Sequence, residues 1–277
     1  MHAPPPAGPS SAAGAHPLRP PGERLWVIAG TGEGPLLARG FLDRGWRVRV
    51  SVVTAAARRS YPNDSRLEVV VGALTGAPAW RAALEEAERQ GDPFRWLVDA
   101  SHPFASQVTA MVVVALEGRP ERLLRLHRPP LASPGATSLG HISEMEAHLG
   151  PGDRLLLAIG ARHLGLALRH CAEALPHCRV LPNPGALRLA LQAGIPPPRL
   201  ACFHPTADGA LERALCVHWR IDTILCRQSG SATEAHWSRI SEEKGLRLLT
   251  LRRPPEPEGL ARLPLGELIE HVGGPAR

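Results

Sequence analysis

From Leu25 to Leu251 the chain alternates short aliphatic, β-branched runs with segments of helical periodicity, and few architectures accept that pattern. In the first half it predicts strands at Leu25–Ala29, Arg47–Val53, Leu67–Val71, Arg95–Asp99 and Arg122–Leu126, with helices at Pro35–Arg44, Ala77–Arg89 and Phe104–Glu117. In the second half it predicts strands at Arg154–Ile159, Arg179–Leu181, Arg199–Phe203, Thr223–Cys226 and Arg247–Leu251. Helices at Ala161–Cys171, Pro184–Gln192, Asp208–His218 and Thr233–Glu243 fall between them. A strand followed by a helix and another strand is a βαβ crossover, which makes the sheet parallel and covers both of its faces. The Pro-, Ser- and Gly-rich stretch from Arg128 to Gly140 interrupts the alternation and reads as a linker. The expectation is α/β, with two Rossmann-like parallel-sheet domains and a cleft between them. Residues 23–130 form the first domain and 138–254 the second, with a disordered tail over 1–22 and a C-terminal tail or short helix over 255–277.

Composition narrows what such a fold does. The 277 residues are 44% hydrophobic, enough for real cores, but no apolar run approaches the roughly 20 residues that span a bilayer. The N-terminus lacks the basic-then-apolar layout of a secretory signal, so the expected location is the cytoplasm, with no membrane partner. Five cysteines without a C-x-x-C pair argue against a disulfide framework or a zinc knuckle and read as reduced and mostly buried. His163, His170 and His177 recur every seven residues, but the span crosses Pro176 and reads as a surface face, so no metal site is expected. The net charge of +6 comes from arginines scattered singly or in pairs, and aromatic residues are only 4% of the chain. That distribution offers no recognition helix or stacking platform for nucleic acid; a small polyanion suits it better.

In an open parallel sheet, ligands bind beyond the carboxyl ends of the strands, so the strand ends matter most. The first strand runs into Gly30-Thr31-Gly32-Glu33-Gly34-Pro35, where backbone N–H groups at a helix start can meet a phosphate. A tight strand-to-helix turn explains the loop equally well, because the usual third glycine is replaced by Pro35. The second strand ends in Ser51-Val52-Val53-Thr54 with Arg58 and Arg59 beyond, and no carboxylate stands where an NAD binder grips its ribose. Hydroxyls and guanidinium groups there suit a 2′-phosphate, and hence NADP(H), although most such arginines are merely solvated. The fourth strand delivers Asp99-Ala100-Ser101-His102-Pro103-Phe104-Ala105. His102 reads as a hydrogen-bonded structural residue or as a reacting group whose tautomer Asp99 and Ser101 set.

Taken together, Ala29–Glu33, Asp99–Ala105, Leu126-His127-Arg128-Pro129, Ser229-Gly230-Ser231-x-Thr233 and Leu251-Arg252-Arg253-Pro254 resemble the precorrin-6A reductase family of cobalamin biosynthesis. The resemblance implies hydride transfer from NADPH to a double bond of precorrin-6A or its cobalt form, giving the 6B form. It implies cofactor binding by Thr31, Gly32, Glu33, Ser51 and Thr54, with Ser101, His102 and Pro103 beside the nicotinamide; Gly30, Arg58 and Asp99 are expected cofactor contacts from their place at the strand ends. Hydride addition leaves negative charge that a proton must meet, and His102, as proton donor or orienting group, is the expected candidate, with Ser101 at the reacting centre. Arg227, Ser229, Gly230, Ser231 and Thr233 are expected on a polycarboxylate corrinoid, and transient contacts with neighbouring pathway enzymes fit the same picture. The chain departs from the family at Ala29, Leu131, Arg227-Gln228 and Cys202-Phe203-His204-Pro205-Thr206, which leaves contacts around 202–206 unassigned. A catalytically silent NADP(H)-sensing module or an inactive homologue is the alternative. A nucleotide-sugar or S-adenosylmethionine enzyme is a further one, though the latter lacks its acidic second-strand residue.

Overall fold

The structure is a computed structural model that describes residues 23–30 and 32–274. The expected tail over 1–22 and Thr31 lie outside the described residues. Its first elements are β1 (Arg24–Ala29), α1 (Gly34–Asp43), β2 (Arg47–Val52), β3 (Leu67–Val71), α2 (Gly76–Arg89), β4 (Phe94–Ala100), α3 (Ser106–Ala115) and β5 (Arg122–Leu126). Next come β6 (Thr137–Leu139), β7 (Arg154–Ala158), α4 (Leu164–Arg169), β8 (Leu175–Val180), α5 (Pro184–Gln192), β9 (Leu200–Cys202) and α6 (Ala210–His218). The chain continues with β10 (Thr223–Arg227), α7 (Ala232–Lys244), β11 (Arg247–Leu251), β12 (Arg262–Leu263) and α8 (Leu265–Val272).

Two six-stranded sheets result, β3-β2-β1-β4-β5-β12 and β9-β8-β7-β10-β11-β6. Both have the doubly wound order, so each has one point where the winding reverses: between β1 and β4, and between β7 and β10. Burial follows position. All of β1 is buried, as the continuous apolar run of a central parallel strand requires, whereas β2 alternates with its valines inward. In the second sheet Leu155 and Leu157 enter one core with Met145, Leu164, Leu225 and Leu249. Leu156 enters another core with Trp219, Ile224, Trp237 and Ile240, so successive residues of one strand feed opposite faces.

Several expected boundaries move. The third helix starts at Ser106 rather than Phe104 because residues 102–105 are spent on a turn in which Ala105 N–H donates to the His102 carbonyl, 2.7 Å. The expected helix Ala161–Cys171 splits into a 3-10 turn, Ala161–His163, and α4. The strand expected at Arg179–Leu181 begins at Leu175 and takes in Pro176, opposite Leu155. The presumed linker contains β6, whose Thr137–Leu139 pair with Leu249–Leu251. The three histidines share no face. His163 ends the 3-10 turn, the half-buried His170 pairs with Glu146, and His177 is buried against Trp219 with ring centroids 4.9 Å apart.

The compact units also differ from the expected domains. One comprises the described residues up to Ala100, with Met111–Leu124 and the described residues from Glu267 onward; the other is Ser101–Ala110 with Arg125–Gly266. The C-terminal stretch is therefore structured. Trp46 Nε1 donates to the Gly273 carbonyl at 2.6 Å, Arg44 pairs with Glu270, and a Cβ on Gly40 would lie 2.7 Å from Ile269 Cδ1. All five cysteines are free, four buried and Cys202 exposed. Among the described residues no helix is long and apolar enough to cross a membrane, and no cluster of His, Cys, Asp and Glu could hold a metal ion.

Candidate active site

In the first sheet, Ala29 and Ala100 are register partners, so β1 and β4 release their terminal segments side by side. Gly30 is exposed, and a Cβ on Gly32 would meet nothing within 4 Å. Glu33 is the N-cap of α1 without a side-chain bond to the helix, and Pro35 sits in the first turn, where its missing N–H costs nothing. This leaves N–H groups at a helix start beneath open space, which suits a phosphate. Gly34 is glycine for a different reason: a Cβ there would lie 2.9 Å from that of Ala29 and collide with the Tyr61 hydroxyl.

Beyond β2 the expected residues divide. Ser51 Oγ accepts a hydrogen bond from Trp26 Nε1 at 2.8 Å, so the hydroxyl is engaged in the fold. Thr54 precedes a 3-10 turn, Ala55–Ser60, and both Thr54 and Arg58 are exposed. Arg58 lines a cavity of about 180 Å³ with Tyr61, Pro62, Asn63, Asp64, Leu67 and Val69. Burial pushes the Tyr61 phenol up to about 12, so it stays a neutral hydrogen-bonding group. Asp99 is fully buried.

The segment after β4 is tightly constructed. Pro103 is buried in the turn closed by Ala105 N–H, and Phe104 N–H donates to His102 Nδ1 at 3.1 Å. A ring nitrogen that accepts carries no proton, so this bond places the neutral imidazole's hydrogen on Nε2. The geometry therefore favours His102 as an Nε2–H hydrogen-bond donor that orients a ligand; delivering a proton requires the imidazolium, which forfeits the Phe104 bond. Ser101 is buried, its Oγ accepting from Arg125 at 3.3 Å and its carbonyl from Arg128 at 3.1 Å.

The second sheet's reversal point is cationic. The Arg227 guanidinium lies 5.2 Å from the centroid of the Phe104 ring, and the His102 imidazole also packs against that ring, with centroids 5.8 Å apart. Gly160, at φ +83, lets Arg227 approach: a Cβ there would be 3.3 Å from Nη2. Burial lowers the Arg227 pKa to about 10, and Arg162 adds repulsion. His163 is likewise lowered, first by burial and then by Arg227 and Arg162. Arg227 has no acidic partner among the described residues, and its buried charge beside that of Arg162 suits an anionic ligand, with the His163 imidazole held neutral next to them.

The serine-glycine loop corrects a simple reading of its glycine. Ser229 N–H and Gly230 N–H donate to the buried Glu234 carboxylate at 2.7 and 2.6 Å, so these backbone donors are already satisfied from within the chain. Ser229 Oγ and Ser231 Oγ share a 2.7 Å hydrogen bond, and Thr233 is half-buried in the first turn of α7. What remains for a ligand is hydroxyl chemistry. Sequence reasoning missed Glu234, although Ser231-x-x-Glu234 has capping-box spacing; it missed the contributions of Arg125, Arg162 and His163, and it named Phe104 and Arg253 only as parts of motifs.

The model of the precorrin-6x reductase CbiJ/CobK family matches residues 24–271. A cobalt-precorrin-6A reductase from Synechocystis sp. is 32% identical over 238 residues, covering 83% of this chain and 88% of that protein. A precorrin-6A reductase from Rhodococcus erythropolis is 29% identical over 267 residues, covering 91% and 95%. Among solved structures, one described as CobK precorrin-6A reductase has the same fold, with TM-score 0.71 and 22% identity over 92% of this chain and 100% of that one. The family match takes in both sheets, the glycine loop, the Asp99–Ala105 segment and the serine-glycine loop. This chain belongs to the precorrin-6x reductase CbiJ/CobK family.

Proposed function

We propose that the chain is an NADPH-dependent cytoplasmic reductase of precorrin-6A or cobalt-precorrin-6A. When bound, the dihydronicotinamide supplies a hydride to one carbon of a macrocycle double bond, a proton adds to the conjugate atom, and NADP⁺ is left. Gly30, Thr31, Gly32 and Glu33 bind the pyrophosphate at the start of α1, and Arg58, with Thr54, takes the 2′-phosphate. Buried Asp99, Ser101 and Pro103 shape the nicotinamide's surroundings. His102 orients a reacting group through Nε2–H, and ordered water is the simplest proton source. Arg227, with Arg162 and His163, takes a carboxylate of the substrate, and Ser229, Ser231 and Thr233 supply hydroxyls.

One observation carries this reading: the His102 imidazole and the Arg227 guanidinium, which has no acidic partner among the described residues, both pack against the Phe104 ring, at 5.8 and 5.2 Å from its centroid. It sets a polar donor next to a cationic cluster suited to a polycarboxylate. The test is a titration with NADPH and NADH, followed by an assay of NADPH consumption with precorrin-6A. The wild-type chain binds NADPH in preference to NADH, and Arg58→Ala weakens NADPH binding by about 10- to 100-fold, the size of a lost charged hydrogen bond, without affecting NADH. NADPH binding without turnover of precorrin-6A, or no NADPH binding at all, overturns the reading.

A further inference from the structure

We propose that Arg125 is a positioning residue for this reaction, acting through Ser101 on His102; the proposal rests on the function proposed above. Arg125 lies in β5 within the apolar run Leu123-Leu124-Arg125-Leu126 and is only 1% exposed. Its Nη1 donates to Thr109 Oγ1 at 2.6 Å and to Ser101 Oγ at 3.3 Å, and its Nε to Glu256 Oε1 at 2.8 Å. Glu256 also accepts from Arg262 at 3.0 Å. Burial pushes the Glu256 pKa up, but the two arginines outweigh it and hold the carboxylate below its ordinary value, so the pair is ionised.

A buried ion pair in a strand interior contributes little to stability compared with an apolar side chain of similar volume, so Arg125 is poorly explained by packing. Its partners explain it better. The forked guanidinium reaches two hydroxyls and a carboxylate at once, which a lysine ammonium does not reproduce. The carbonyl of the same Ser101 is held by Arg128, and the Arg128 carbonyl accepts from Arg253 Nη1 at 2.5 Å. Arg253 Nε donates onward to the Gln228 carbonyl at 2.8 Å, immediately before the serine-glycine loop. Gly230 fits beneath this arrangement, since a Cβ would lie 2.7 Å from Arg253 Nη2 and 2.9 Å from Arg128 Cβ. Ser101 is thus gripped at its hydroxyl and its carbonyl, and the residue after it is His102. The imidazole and the Ser229–Ser231 loop are set by one chain of arginines.

Two variants of the full chain, Arg125→Lys and Arg125→Met, test this, with Thr109→Val as a third that keeps the charge pair. Each is expected to lower kcat on precorrin-6A by about 10- to 100-fold while KM for NADPH changes less than about twofold. An independent readout needs no turnover. In the ligand-free protein the His102 Cε1–H resonance, assigned by its absence in His102→Asn, shifts or broadens in all three variants. If kcat is unchanged, or if kcat falls while the His102 resonance stays as in wild type, the proposal is overturned. Should Arg125→Met fail to fold, the other two decide. If wild type itself does not reduce precorrin-6A, the functional reading fails, and the resonance alone reports whether Arg125 positions His102.

Discussion

The two sheets share one strand order, yet their reversal points are finished in opposite ways. At the first, space over Gly32 is open and the donors on offer are backbone N–H groups at the start of α1. At the second, the corresponding space over Gly160 is filled by the Arg227 guanidinium, and the N–H groups of Ser229 and Gly230 are consumed by Glu234. Topology decides where a ligand can bind, and the residues at the strand ends decide which ligand. Backbone amides around an open glycine favour a phosphate held close to the main chain. A desolvated arginine and half-buried hydroxyls favour carboxylates on a larger molecule.

The contrast is open to attack, most forcefully at Gly230. Its φ of +69 and a Cβ position 2.6 Å from the Pro129 carbonyl leave no room for a side chain. Gly230→Val is expected to cost about 2–5 kcal/mol in denaturant unfolding, strain and overpacking together, and to abolish corrinoid turnover. NADPH affinity of the folded fraction should be unchanged; an equal loss there would erase the distinction between the two ends. A smaller effect is expected from Arg227→Met. It raises KM for precorrin-6A by about 10- to 100-fold and leaves the NADPH Kd unaltered. Thermal stability should hold or rise, since a desolvated charge without an acidic partner is removed. An unchanged KM would show that the second end is not a carboxylate site.

The smallest effect is in pH. His163 titrates below its ordinary value of 6.5, through burial first and then Arg227 and Arg162. The unfolded chain therefore takes up a proton that the folded chain resists, so this stability is fully present above 6.5 and declines as pH falls below it. His177, also lowered chiefly by burial, acts in the same sense. Unfolding followed from about pH 7.5 to about pH 5.5 should show His163→Gln losing less stability than wild type. Identical slopes would mean that the second reversal point is not electrostatically stressed.

Regular, apolar features were legible in the sequence. β3, β5, α5 and β11 fall on the residues that period and breakers indicate: β5 and β11 bury continuous apolar runs, while the half-exposed β3 and α5 are bounded by Asn63, Gly72, Asn183 and Gly194. β6 and β12 were not legible. They have three and two residues, exist only through pairing with strands distant in sequence, and lie among prolines and glycines. The site shows the same division. The Ser101-His102-Pro103 turn announces itself as polar residues at the end of a buried strand. Arg125 finds Glu256 across 131 positions, and no local pattern predicts such a partner. Gly230 was legible as part of a substrate loop, but not that its N–H is already engaged, because that depended on Glu234 folding back from α7.

The docking of α8 through Ile269, Glu270 and Gly273 has a consequence for how the molecule is made. A ribosome releases the glycine loop within the first hundred residues, but the piece that caps Trp46 and covers Gly40 emerges only after the whole of the other unit. The unit that holds the glycine loop is begun first and finished last. Such long-range closure slows folding and leaves the unit incomplete during synthesis, so a chain that stalls before Leu265 carries every residue expected to hold the dinucleotide but not the helix that seals their scaffold.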